Sequence, residues 1–156
     1  MQQAVPSPRI VEPLPPWLRD YRNLLKIREI PGPQHHPQIV AWLKDCGLPP
    51  EMLADETAWC AAGTGGVLKA AGLKGTGRAN ARSYLTWGTA LATPRLGCVS
   101  VYERPPNPAQ GHVTFWISDF GPDQHLCFGA NQQNAFSFAL YPTNLHLGWR
   151  WPAGVP

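Results

Sequence analysis

The sequence predicts an α+β fold. Helical spacing of apolar residues is confined to the first half of the chain, whereas from Pro94 onward short alternating segments are separated by Gly, Pro and Asn. With 18 Pro and 15 Gly among 156 residues, loops are expected to be long and regular elements short. The length suits one domain, over residues 16–156, behind a Pro-rich flexible tail over residues 1–15.

Taken in order, Pro15-Pro16-Trp17 opens an apolar pattern through Leu18, Tyr21, Leu24, Leu25 and Ile27, the spacing of an amphipathic helix starting near Pro16. Pro37 starts a second helix carrying Ile39, Val40, Leu43 and Cys46, closed by Gly47. A third begins near Ala58, with Asp55-Glu56-Thr57 placed to cap its free amides and Cys60 in its first turn. Gly63-Thr64-Gly65-Gly66 is costly inside that helix, about 1 kcal/mol per Gly relative to Ala, so a tight packing reason is required. Ala79 to Trp87 forms another short helix. The strand-like segments are Cys98–Tyr102, His112–Ile117, His125–Phe128, Ala135–Tyr141 and Leu145–Trp151.

The net charge of +3 comes from scattered Lys and Arg with no basic run, which argues against a nucleic-acid-binding arm. Met1 to Pro16 contains five prolines and no apolar run, so neither a signal peptide nor a membrane anchor is read there, and synthesis in the cytoplasm is expected. Cysteines 46, 60, 98 and 127 lack the close pairs of a zinc site and are read as reduced thiols. His35-His36 has imidazoles that point apart, without Cys or carboxylate partners in sequence, so no metal site is expected.

Cys60 stands apart from the other thiols. In the first turn of a helix it faces unsatisfied amides and a positive dipole end, which favours thiolate; the competing reading is a buried Cys acting as a small apolar residue. His112, between Gly111 and the alternating Val113 to Ile117, stands at a strand start, where an imidazole can approach another element and act as base to a thiol. Asn131, after the next strand, is the first-ranked group to hold the far ring nitrogen, ahead of Gln132, Asn134 and His125. A surface His and a turn Asn are the competing readings.

Asp55-Glu56-Thr57-Ala58-Trp59-Cys60-Ala61-Ala62, then Gly75-Thr76-Gly77, Ala81-Arg82-Ser83, Trp87-Gly88, Gly111-His112-Val113 and Asn131-Gln132 resemble the NlpC-type and CHAP cell-wall hydrolases, more narrowly their short phage-endolysin-like branch. With Glu29-Ile30-Pro31-Gly32, Pro37 and Ile39, the resemblance runs from about Trp17 to about Pro152. It implies a papain-like α+β fold and hydrolysis of a peptide or amide bond of the peptidoglycan stem peptide. Cys60 would be nucleophile, with its backbone amide helping to hold the oxyanion, His112 base and Asn131 orienter. Asp55, Glu56, Trp59, Arg82, Ser83 and Gln132 would line the substrate or the helix cap, though a surface Arg and a capping Ser are competing readings for residues 82 and 83. No cofactor and no metal are implied. Peptidoglycan is the expected partner, with an immunity or inhibitor protein if the chain is an antibacterial toxin rather than a phage lysin; nucleic acid and membrane insertion are not. Action would be on the cell wall, after release or delivery by a secretion system. A catalytically silent wall- or glycan-binding module is the alternative, with Tyr102, Trp116, Trp149 and Trp151 as sugar-stacking or core aromatics. The chain departs from the pattern twice: Gly63, Thr64 and Gly65 stand where larger apolar residues are usual, and Ala130 replaces a Gly before Asn131.

Overall fold

Pro, Gly and polar residues punctuate the chain so often that regular elements are short, and the computed structural model, which describes Val5 and residues 8–156, bears this out. Met1 to Ala4, Pro6 and Ser7 of the expected tail lie outside the described residues. The end of that segment is held by the domain: Ile10 packs on the core, Leu14 is buried, and Pro15 lies against Gly97.

Among the described residues the α-helices are α1 (Tyr21–Leu24), α2 (Pro37–Asp45) and α3 (Cys60–Ala70). The strands are β1 (Thr89–Leu91), β2 (Val99–Glu103), β3 (Gly111–Phe120), β4 (Gln124–Gly129), β5 (Ser137–Pro142) and β6 (His146–Trp151). The α+β class is as expected. No helix among the described residues is long and apolar enough to cross a membrane.

Three helices differ from expectation. The continuous helix read from Pro16 to Ile27 is instead a 3₁₀ turn, Pro16–Leu18, followed by the single turn α1. A short isolated helix has little stability of its own, and here side chains redirect it. The Trp17 indole N–H donates to the carbonyl of Gly97 at 2.8 Å and packs edge-on to Trp151, while the Asp20 carboxylate accepts from the Asn23 amide at 2.6 Å and starts the next turn. Residues 81–86 are likewise a 3₁₀ segment rather than an α-helix.

α3 starts at Cys60, and Asp55-Glu56-Thr57 does not cap it: the N-cap position is Trp59, whose side chain makes no capping bond. Asp55 is fully buried and turned the other way, its Oδ2 accepting the backbone N–H groups of Ile30 (2.8 Å) and His36 (2.9 Å). A buried carboxylate needs such donors, and they tie the loop before α2 to the lead-in of α3.

The glycine run in α3 is a packing device. A Cβ on Gly63 would fall closer than 3.0 Å to the Cβ of Ala130, and one on Gly66 would run into the Trp42 indole. Positions 63 and 130 therefore meet: a side chain missing at 63 makes room for the methyl present at 130. Thr64 satisfies its buried hydroxyl by donating to the Cys60 carbonyl at 2.9 Å.

The sheet is antiparallel throughout, in the order β1-β6-β2-β3-β4-β5. Alternation sends Val99, Val101, Val113, Phe115 and Phe128 into the core shared with the helices, and Ser100, Tyr102, His112, Thr114 and Cys127 to the other face. Bulges between Val101 and Tyr102 and between Trp116 and Ser118 help to curl it. β2 and β5 are three strands apart, roughly 14 Å in a flat sheet, yet the rings of Tyr102 and Tyr141 stack at 4.9 Å. The second face is therefore concave, and its side chains meet one another.

Candidate active site

Cys60 occupies the first position of α3, with Trp59 ahead of it fixed by an indole bond to Glu29 Oε1 at 2.9 Å. It is 5% exposed, and the backbone N–H groups of Val113 and Ala61 lie close enough to its sulfur to favour the charged form. Val113 is the chain neighbour of His112, so β3 delivers the imidazole strand to the thiol. No direct hydrogen bond joins the Cys60 and His112 side chains among the described residues.

His112 is buried and lies flat on Tyr141, with ring centroids 4.9 Å apart and planes 17° apart. Its Nε2 is 3.0 Å from Gln132 Oε1. That amide has a fixed orientation: its Nε2 donates to the Ser137 carbonyl and its Oε1 also accepts from the Thr114 hydroxyl at 2.8 Å. An amide oxygen only accepts, so the proton is on His112 Nε2 and the lone pair on Nδ1. Gly129 makes this possible, since a Cβ there would collide with Thr114 Oγ1 and Gln132 Oε1.

The ring partner is thus Gln132 and not Asn131, the residue ranked first from sequence. Asn131 adopts the left-handed conformation, φ 56°, in the turn that swings Gln132 under the imidazole. His125 is on the concave face, with Nδ1 at 2.8 Å from the Tyr102 hydroxyl.

Burial dominates the protonation of the pair. It pushes the Cys60 thiol up, against the pull of the Val113 and Ala61 amides and of the Arg104 charge. It pushes His112 down to about 4, despite the Gln132 bond, and Arg104 adds to the depression. The helix-start thiolate expected from sequence is therefore overruled by desolvation, and the resting pair is neutral thiol and neutral imidazole.

The remaining expected site residues separate. Trp59 directly precedes Cys60 and bonds Glu29; Asp55 clamps loops, and Glu56 is exposed. Ser83 donates to the Asn80 carbonyl at 2.7 Å and pairs with Thr76, the behaviour of a turn residue. Arg82 lies against the start of β3, its Nε donating to the Gln110 carbonyl at 3.1 Å. Of the aromatics, Tyr102 and Trp151 are buried in the two cores and Trp116 and Trp149 are half-buried.

His35 does find carboxylates. Its Nδ1 is 3.1 Å from Asp55 Oδ1 and 3.3 Å from Glu56 Oε2, and the three residues could offer a cation one ligand atom each. Asp55 already spends its lone pairs on two backbone N–H groups and His35, which makes the cluster a loop clamp.

Sequence reasoning missed Thr114, Ser137, Tyr141 and Arg104. Thr114 was within reach of it, two residues from His112 on the same strand face; the others arrive through turns and sheet curl. In searches of protein-family models, curated proteins and solved structures, the chain matches none.

Proposed function

We propose that this chain is a papain-like cysteine hydrolase of the NlpC/CHAP type that cleaves a peptide or amide bond of the peptidoglycan stem peptide. The observation that carries the reading is the Gln132-held imidazole of His112, its lone pair on Nδ1, on the strand whose next residue brings its backbone N–H near the Cys60 sulfur at a helix start.

The chemistry is acyl transfer by a thiol that is ionised only as it reacts. The Cys60 proton passes to His112 Nδ1 and the thiolate sulfur bonds to the substrate carbonyl carbon, whose π electrons move to oxygen. Free amides at the start of α3, that of Cys60 among them, lie where the oxyanion develops, a contribution typically of a few kcal/mol. On collapse the C–N bond breaks and the leaving nitrogen takes the proton from His112. Water, deprotonated by the same ring, then hydrolyses the thioester and returns the thiol. Gln132 holds the imidazole in the tautomer that both half-reactions need and accepts from its Nε2–H when the ring is charged. A phage lysin and a delivered toxin, the latter opposed by an immunity protein, use the same chemistry.

A silent wall-binding module is the second reading, favoured by the neutral, buried thiol. Purified wild type and Cys60→Ala are given cell-wall sacculi. Soluble peptide or glycan products from the wild type alone support the hydrolase, and their masses name the bond; equal release sinks it. Iodoacetamide labelling adds an independent view, since a Cys60 that gives its proton to His112 as it reacts labels faster than Cys98, which burial holds at about 12.

A further inference from the structure

A hydrolase built this way still has to select its amide bond, and the start of β3 carries charge that the protein leaves unmatched. Arg82, in the 3₁₀ segment 81–86, packs its Cγ 3.2 Å from where a Cβ on Gly111 would lie, so its side chain runs alongside the residue before His112. It is half-buried, and of its guanidinium fork only Nε is engaged, on the Gln110 carbonyl. Nη2 is buried without any hydrogen-bond partner. A buried guanidinium nitrogen with no acceptor is costly and calls for an explanation.

Arg104 stands across the strand, one residue beyond Glu103, which pairs with Gly111. It is exposed, and its charge reaches both Cys60 and His112. Among the described residues neither arginine forms an ion pair with a carboxylate. The acidic side chains near the nucleophile, Glu29, Asp55 and Glu56, are engaged with Trp59, backbone amides and His35 instead.

We propose that Arg82 is a specificity-determining residue whose unmatched guanidinium takes a free carboxylate on the substrate residue flanking the scissile bond, with Arg104 adding to the positive field. This rests on the hydrolase reading above. An Arg fork suits a planar carboxylate bidentately, and an amide in its place leaves the fork unmatched again. Discrimination between acid and amide then amounts to roughly 10- to 100-fold in kcat/KM.

The test uses one synthetic stem tetrapeptide with all carboxylates free, and counterparts amidated at one carboxylate at a time. The wild type, Arg82→Gln, Arg82→Lys and Arg104→Gln are compared by kcat/KM. The wild type is expected to prefer the free acid over one counterpart by at least about 10-fold, a ratio that falls toward 1 in Arg82→Gln and part of the way in Arg82→Lys, which keeps the charge without the fork. A wild-type ratio near 1 for every counterpart overturns the proposal while leaving the hydrolase intact. So does an Arg82→Gln that slows all peptides equally, because the arginine would then act on the reacting carbonyl. Cleavage of none of the peptides by the wild type overturns the hydrolase reading and this one with it. Should Arg82→Gln fail to fold, as judged by its melting temperature, the wild-type and Arg82→Lys ratios decide.

Discussion

Replacing Gly63 by Ala sets helix propensity against packing in the turn that follows Cys60. Propensity alone favours Ala by about 1 kcal/mol. The new methyl, however, would stand inside 3.0 Å of the Ala130 Cβ, with the rings of Trp59 and Trp42 at 3.4 and 3.5 Å closing its other sides. None of these neighbours is the far end of a flexible chain, so overpacking costs about 2–3 kcal/mol, and Gly63→Ala should destabilise by a net of about 1–2 kcal/mol. Ala130→Gly, by itself, removes a buried methyl and frees a turn, at a cost of about 1 kcal/mol. If the clash is the cause, the double variant has none: the propensity gain and the loss at 130 nearly cancel, and stability returns to within about 1 kcal/mol of wild type. The coupling energy is then about 2–3 kcal/mol, read as urea midpoints at unchanged m-value and as a melting difference of several degrees for a chain of this size. Additivity within about 0.5 kcal/mol would refute the reasoning. Activity provides a second readout. Gly63 lies one turn from Cys60, and a helix start displaced by ~1 Å can lower a rate about 100-fold, so the double variant should recover turnover along with stability.

Two further outcomes follow from the imidazole. Because His112 titrates near 4 when folded and near 6.5 when unfolded, the unfolded chain binds the extra proton between those values; the stability present above pH 6.5 falls by about 3 kcal/mol as pH drops to 4. A His112→Gln variant should lack that part of the slope, and parallel denaturation curves across the window would remove the basis for a neutral buried ring. Gln132→Ala strands His112 Nε2, Thr114 and the Ser137 carbonyl, so it should lose about 3 kcal/mol and ~10- to 100-fold in kcat. Asn131→Gly, which keeps the left-handed turn at φ 56°, should lose far less of either, and a reversed ranking would restore Asn131 as the orienter.

Legibility in the sequence followed the range of the interactions. α2 was readable because Pro37, its apolar stripe and Gly47 are local signals, and β2 to β6 because alternation is local too. What could not be read depends on distant partners. Asp55 looked like a cap for the helix five residues on, but its acceptors are better met by Ile30 and His36, 25 and 19 residues away. Cys60 carried the dipole signature of a thiolate, and only the three-dimensional burial of its sulfur reverses the sign.

The glycine run shows how such failures point to the site. Inside a helix, Gly63 and Gly66 contradict local preference, and sequences break local rules where tertiary contact requires it. Here the requirement is close approach: Gly66 admits Trp42, which packs on Trp59, and Gly63 admits Ala130, the residue before the turn that carries Gln132 to His112. One face of α3 thereby sets both the position of the thiol and that of the amide that holds the His112 imidazole. The glycines that weaken the helix are what let its first residue and the imidazole strand belong to one site, which is why substitution at 63 should be felt in stability and turnover together.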